Sequence, residues 1–372
     1  MRAVGIILAG GNSNKMRELT HRRAVAAMPI AGSYRCIDFA LSNMTNSHVQ
    51  KVAVLTQYNA RSLNEHLNSS KWWNFGRKQG GLYVFNPTIT SENGYWYRGT
   101  ADAINQNLDF LKKSHEPYVI IASADAVYKL DYNKVLEYHI QKNADITVVC
   151  KDLCEGEEPS RFGTVKMNED SRIVEFEEKP MISESHTIST GIYVLRRRQL
   201  IDLIERCAEE ERHDFVTDIL IRYKNLKKIY GYKIKDYWSN IATVDSYYKT
   251  NMDFLKPDIR QYFFNELPRV YSKVSDLPPA KYNPGAVVKN SLVGSGSIIN
   301  GTVENSILFK KVFVGNNCVI KNSIILNDVY LGDNTYIENC IVESRDTIRA
   351  NTRYIGENEV KIVVEKNERY AL

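Results

Sequence analysis

Long apolar runs are missing from this 372-residue chain, and no stretch approaches the length of a membrane-spanning helix. The start of the chain lacks a charged leader, an apolar run and a cleavage site, and residues 4–8 read at once as a strand. The cytoplasm is the expected compartment. Cysteines are few: Cys36, Cys150, Cys154, Cys207, Cys318 and Cys340 are scattered, and only Cys150 and Cys154 sit close together. No second pair or histidine cluster accompanies them, so a zinc site is not expected. A dominant charge is missing too, since 49 Lys and Arg against 44 Asp and Glu leave a net charge of only +5. The densest basic stretches, Arg196 to Arg198 and Lys224 to Lys228, have no interleaved aromatics and read as solvated helix faces. Nucleic-acid and membrane partners are therefore not expected.

What is present is an alternation of short apolar runs with helical stretches from residue 1 to about residue 252. This is the signature of an α/β domain with a doubly wound, mostly parallel sheet. Strands are expected at residues 4–8, 52–55, 118–122, 146–150 and 191–195, with helices at 37–46, 100–113 and 132–142. In such sheets ligands bind beyond the carboxyl ends of the strands. Residues 253–281 read as a linker, stiffened by Pro257, Pro268, Pro278 and Pro279.

From residue 282 to 372 the character changes. Asn290-Ser291, Asn305-Ser306, Asn322-Ser323 and Asn339-Cys340 recur at offsets of 15, 17 and 17 residues, each followed by two aliphatics. Within a turn of the repeat, aliphatics step by six, as from Val314 to Ile320 and from Leu331 to Ile337. Three six-residue faces per repeat describe a left-handed parallel β-helix, a module suited to oligomerisation and regulation. An antiparallel sandwich is the alternative, and the repeated Asn-Ser register argues against it.

Several motifs punctuate the first domain. Leu8-Ala9-Gly10-Gly11 follows the first strand, where a glycine turn can bring backbone N–H groups against phosphates. Thr56-Gln57-Tyr58, Arg98-Gly99-Thr100-Ala101-Asp102 and Ala124-Asp125-Ala126 come next along the chain. Glu177-Glu178-Lys179-Pro180, Ser189-Thr190-Gly191-Ile192-Tyr193, His213-Asp214-Phe215 and Tyr237-Trp238 follow. With Arg35-Cys36-Ile37-Asp38-Phe39 and Val303-Glu304-Asn305-Ser306-Ile307, this ordered set resembles bacterial ADP-glucose pyrophosphorylase (glucose-1-phosphate adenylyltransferase) over nearly the whole chain.

The resemblance implies transfer of an adenylyl group from ATP to glucose 1-phosphate, a step of glycogen (α-glucan) biosynthesis. It places Leu8, Gly10, Gly11, Gln57, Gly99 and Thr100 on the nucleotide. It places Glu178, Lys179, Ser189, Tyr193, Asp214, Phe215 and Trp238 on the sugar phosphate, and all seven residue types are present. Catalysis of such a reaction is mostly cation placement, by a divalent metal and basic side chains. Here the chain departs from the family. The family's Gly-Gly-x-Gly-Thr-Arg-Leu is Gly10-Gly11-Asn12-Ser13-Asn14-Lys15-Met16, so Ser13 brings a side chain where phosphate should approach and Lys15 lacks the arginine fork. Val25 stands in place of a lysine. Asp125 matches one metal ligand, while Asn240 replaces the carboxylate of the other.

The catalytic positions Lys15, Val25 and Asn240 are thus degenerate, Asp125 is left as an incomplete metal site, and Mg²⁺ enters only if activity remains. The pattern is that of the non-catalytic, regulatory (GlgD-type) subunit, paired with a catalytic ADP-glucose pyrophosphorylase chain in a heterotetramer and modulating it. Glucose 1-phosphate, ATP and ADP-glucose stay as candidate ligands. The alternatives are an active or weakly active nucleotidyltransferase, and a pure scaffold.

Overall fold

The structure, a computed structural model, describes residues 2–11, 14–76, 80–88, 94, 96–153, 157–183 and 185–365. Ser13 and Cys154 lie outside the described residues. No helix among the described residues is long and apolar enough to cross a membrane.

The first domain is built on a nine-stranded sheet. Its parallel half comprises β1 (Ala3–Leu8), β2 (Lys51–Leu55), β3 (Gly81–Phe85) and β4 (Tyr118–Ser123), ordered β3–β2–β1–β4. The other half comprises β5 (Ile146–Asp152), β6 (Gly163–Met167), β7 (Ile173–Glu178), β8 (Thr187–Arg196) and β9 (Ile229–Lys233). β8 runs antiparallel to both β4 and β5, β9 is parallel to β5, and β6 and β7 form an antiparallel pair. The sheet is therefore mixed, with its parallel part where the glycine turn lies.

The burial pattern explains why these runs are strands with helices on both sides. In β1, Val4 and Ile6 face one apolar cluster, while Ala3 and Ile7 face the other. Strands covered on both faces carry nearly continuous apolar sequence. Helix α1 (Cys36–Asn46) packs Ile37, Ala40, Leu41 and Met44 on the second face. It comes so close that a β-carbon on Gly5 would lie 2.9 Å from the Met44 sulfur. Helix α2 (Thr100–Gln106) and helix α3 (Arg197–Glu209) cover the first face.

The second domain is a left-handed β-helix of three parallel sheets, five strands in each. Val288, Val303, Ile320, Ile337 and Tyr354 stand in register on one sheet, one above another. The structure also shows why Asn-Ser recurs. Asn290, Asn305, Asn322 and Asn339 all have left-handed backbone, with φ of 41°, 45°, 44° and 52°. Asparagine tolerates that conformation better than other side chains. The following serines stitch the coils together: Ser291 Oγ accepts from Ser306 N–H, Ser306 Oγ from Ser323 N–H, and Ser323 Oγ from Cys340 N–H, each at 3.1 Å.

The stretch between the domains is packed at its start and around Phe263, and is largely exposed beyond. Phe254, Leu255 and Phe263 are buried in one cluster with Met16, Leu19, Val25 and Phe39 of the first domain and Ile307, Phe309, Ile324 and Ile341 of the β-helix. Beyond it, Tyr271 N–H donates to Ser42 Oγ at 2.8 Å and its carbonyl accepts from Trp73 Nε1 at 3.1 Å. Proline thus shapes a strap here, and aromatic burial fixes it.

Charges complete the seam. Arg23 pairs with Glu343 of the β-helix, the two side chains being only 14% and 13% exposed. Nearby Asp346 is buried, and its Oδ2 accepts from Glu365 N–H at 2.8 Å. Burial, with the Glu343 and Glu365 carboxylates, pushes its carboxyl up to about 7, against the pull of Arg22. The folded chain therefore holds a proton that the unfolded chain has lost, and this contribution to stability disappears as pH rises through about 7. Asp346→Asn keeps the acceptor and removes the ionisation. Urea unfolding should show the variant more stable than wild type by about 2 kcal/mol or more above pH 7, and little changed near pH 4.

Candidate functional site

Beyond the carboxyl ends of β1, β2 and β4 the chain converges. Leu8 is in register with Leu55 and Ser123, Ala9 N–H reaches the Leu55 carbonyl at 2.8 Å, and Ala124 N–H reaches the Leu8 carbonyl at 3.1 Å. The glycine turn, Gln57 and Asp125 are thereby brought to one edge, as doubly wound sheets require. A β-carbon on Gly10 would touch Gln57 at an ordinary contact distance of 3.4 Å, whereas one on Gly11 would meet nothing within 4 Å among the described residues. Gly11 thus has an open side. Lys15 is exposed, on the short helix Asn14–Thr20 that follows the turn.

The other nucleotide-side residues have internal partners. Gln57 Oε1 accepts from Tyr97 N–H at 2.7 Å, and its Nε2 donates to the Tyr97 carbonyl at 3.3 Å. Its amide is spent on holding that loop. Gly99 has no room for a side chain, because a β-carbon would lie 2.3 Å from the His213 carbonyl oxygen. That carbonyl accepts from Ala101 N–H at 2.8 Å and so caps α2. Thr100 Oγ1 accepts from Phe215 N–H at 2.9 Å and approaches Asp214 Oδ2 at 3.4 Å. Thr100 is therefore joined to the sugar-side residues.

The sugar-side residues form a cluster. Glu178, at the end of β7, pairs with Lys179 at 2.9 Å. Tyr193 is buried, its ring 5.1 Å from that of Phe215, and its hydroxyl lies 3.4 Å from Ser189 Oγ. Burial, reinforced by the Glu178 and Asp214 carboxylates, raises the Tyr193 hydroxyl well above its ordinary value. It stays a neutral donor at any physiological pH. Asp214 Oδ1 accepts from Val216 and Thr217 N–H at 2.9 and 2.8 Å, so it also caps a helical turn. Trp238 packs edge-on against Phe162, and its buried Nε1 has no hydrogen-bond partner among the described residues. A buried indole N–H normally finds an acceptor, so this one is an uncompensated donor beside the cluster.

Phe162 and Gly163 escaped sequence reasoning. The Phe162 carbonyl holds Lys179 N–H at 3.1 Å, and a β-carbon on Gly163 would lie 2.9 Å from Glu178 Oε2. The only signal was a glycine opening a short stretch of alternating polar and apolar residues, Gly163 to Met167, which many strands share.

The metal side is different. Asp125 and Asn240 are brought together: Asn240 is in register with Ala126 on an antiparallel ladder, and Ile241 N–H donates to the Asp125 carbonyl at 2.9 Å. The Asn240 side-chain oxygen accepts from Ala242 N–H at 2.9 Å, and Asp125 Oδ1 accepts from Ser123 Oγ at 2.6 Å. Among the described residues no group of three or more His, Cys, Asp or Glu could hold a metal. Mg²⁺ is ordinarily held by one or two carboxylates together with substrate phosphates and waters. Here Asp125 is the one carboxylate and the neutral Asn240 oxygen is engaged by Ala242 N–H, so without a bound nucleotide these residues make a poor Mg²⁺ site. Val25 is 5% exposed within the apolar seam, where an ammonium would be costly to bury.

Two family models match the chain: nucleotidyl transferase over residues 4–257, and the GlmU-like C-terminal hexapeptide over residues 278–365. A glucose-1-phosphate adenylyltransferase of Clostridium novyi is 38% identical over 320 residues, covering 85% of this chain and 84% of that protein. The chain belongs to the glucose-1-phosphate adenylyltransferase family. Two further adenylyltransferases bear this out. That of Clostridium botulinum strain Alaska E43 is 40% identical over 321 residues, covering 85% of this chain and 83% of its own length. That of Geobacillus stearothermophilus is 37% identical over 323 residues, covering 86% and 83%.

Asn240→Asp keeps the acceptor for Ala242 N–H while setting a second carboxylate beside Asp125. Millimolar Mg²⁺ should then raise the thermal midpoint of the variant by about 2–4 °C and leave wild type unmoved. Differential scanning calorimetry with and without EDTA reads the difference.

Proposed function

We propose that this chain is the regulatory, largely non-catalytic subunit of a glucose-1-phosphate adenylyltransferase of glycogen synthesis. In this reading it works in the cytoplasm, pairs with a catalytic sister chain in a heterotetramer, and adjusts that chain's rate. The observation that carries the reading is the asymmetry of the cleft. Glu178, Lys179, Ser189, Tyr193, Asp214, Phe215 and Trp238 are complete, whereas Asp125 faces a neutral Asn240 and Val25 is sealed in the seam.

Chemistry explains why these losses matter. A phosphate oxygen of glucose 1-phosphate must attack the α-phosphorus of ATP while pyrophosphate leaves. Several negative charges meet, and the barrier is lowered mainly by cations held in place. With Lys15 exposed, one carboxylate and no lysine at position 25, this chain can position a sugar phosphate but has little to neutralise a triphosphate.

One face of the β-helix supports a partner. Its outward ladder reads Lys281, Ile298, Phe313, Tyr330 and Thr347, with the Phe313 and Tyr330 rings stacked at 4.8 Å. Ile298 and Tyr330 remain 36% exposed while their neighbours Ile299 and Leu331 are fully buried. A flat apolar ladder of this kind suits docking of a second β-helix.

Purified alone with ATP, glucose 1-phosphate and Mg²⁺, the chain should release no measurable pyrophosphate, and added sister chain should show an altered rate. Tyr330→Glu should abolish co-elution on gel filtration without changing the unfolding midpoint. Turnover by the lone chain of about 1 s⁻¹ or more would contradict the proposal and favour an active adenylyltransferase.

A further inference from the structure

The turn that leaves β7 exposes apolar side chains where loop tips are ordinarily polar. Met181 and Ile182 are 98% and 89% exposed, more than any other large apolar side chain among the described residues. Both ends of the turn are anchored. Lys179 N–H donates to the Phe162 carbonyl at 3.1 Å. On the far side, Ser185 N–H donates to Ser183 Oγ at 3.1 Å, and Ser185 Oγ donates to the Val165 carbonyl at 2.6 Å. Lys179 itself has left-handed backbone, φ 47°, a conformation that a β-carbon makes costly. Its pairing with Glu178 is exposed on the lysine side, 65% against 26%, and so is easily exchanged.

These features follow Glu178 directly, beside the sugar-side cluster. We infer that residues 179–183 form a strap that closes over a bound sugar phosphate, an inference that rests on reading that cluster as a sugar-phosphate pocket. A phosphate dianion displaces Glu178 as the partner of the Lys179 ammonium, because charge-assisted bonds to phosphate are the stronger ones. Glu178 is then free to accept from a sugar hydroxyl. As the Lys179 side chain turns to the phosphate, its backbone stays pinned by the Phe162 carbonyl, and Met181 and Ile182 swing inward about that anchor. The Phe162 and Trp238 rings, 5.6 Å apart, offer them an apolar surface. Closure shields the pocket from water and changes the outer surface of the chain. Occupancy of a site that does no chemistry thereby becomes visible to a partner.

Peroxide oxidation of methionine, read by mass spectrometry on the full chain, tests this. Saturating glucose 1-phosphate should slow Met181 oxidation about fivefold or more, with Met167 and Met252 as internal references and binding followed by tryptophan fluorescence in the same samples. Ile182→Asp, a surface change, should weaken binding about tenfold at an unchanged unfolding midpoint. Binding that leaves Met181 equally reactive, or that Ile182→Asp does not weaken, overturns the strap and leaves the pocket standing. Absence of any binding removes the pocket reading and the strap together.

Discussion

Val25 lies where two domains close on each other. Its side chain joins Met16 and Leu19 from the segment after the glycine turn, Phe263 from the interdomain strap, and Ile307, Ile324 and Ile341 from the β-helix. Burying such aliphatic side chains stabilises the folded chain by roughly 1.5–3 kcal/mol each, so this seam is a principal reason for a fixed domain arrangement. The Arg23–Glu343 pair works in the same direction, because breaking a largely buried pair leaves one charge unpaired. A position that the family resemblance reserves for a phosphate-contacting lysine has become part of the structural core.

The two sides of the cleft differ in which residue types they carry more than in bonding, since Asp214, Glu178 and Lys179 have internal partners just as Gln57 and Asn240 do. On the nucleotide side, side chains that could face a ligand are turned to internal work: Gln57 holds Tyr97, Asn240 holds Ala242, and Val25 fills the seam. On the sugar side, the polar groups stay gathered around Tyr193, and the Trp238 N–H has no partner among the described residues. In the proposed reading, a surface that keeps the groups for one substrate and few for the chemistry of the other serves sensing rather than turnover.

Much of this was legible in the sequence, for physical reasons. The β-helix announces itself because each corner needs a left-handed residue and each serine stitches to the next coil, so Asn290-Ser291 must recur with the length of a turn. The parallel strands are legible because burial on both faces demands unbroken apolar runs such as Val4 to Leu8. The seam was not legible, since Val25 and Ile324 are far apart in sequence and neither shows its partner. The role of Gly99 was hidden for the same reason, because the carbonyl that excludes a side chain belongs to His213. Thr100 was placed with the nucleotide by resemblance, and only folding joins it to Asp214 and Phe215.

The central claim is an active site preserved on its sugar side alone. Equilibrium dialysis of the purified chain against labelled glucose 1-phosphate, and separately against labelled ATP with Mg²⁺, tests it most directly. The account predicts near-stoichiometric retention of glucose 1-phosphate and ATP binding weaker by about tenfold or more, since each lost charge-assisted contact costs about 1.5–3 kcal/mol. Tight, Mg²⁺-dependent ATP binding, or no retention of glucose 1-phosphate, would contradict it.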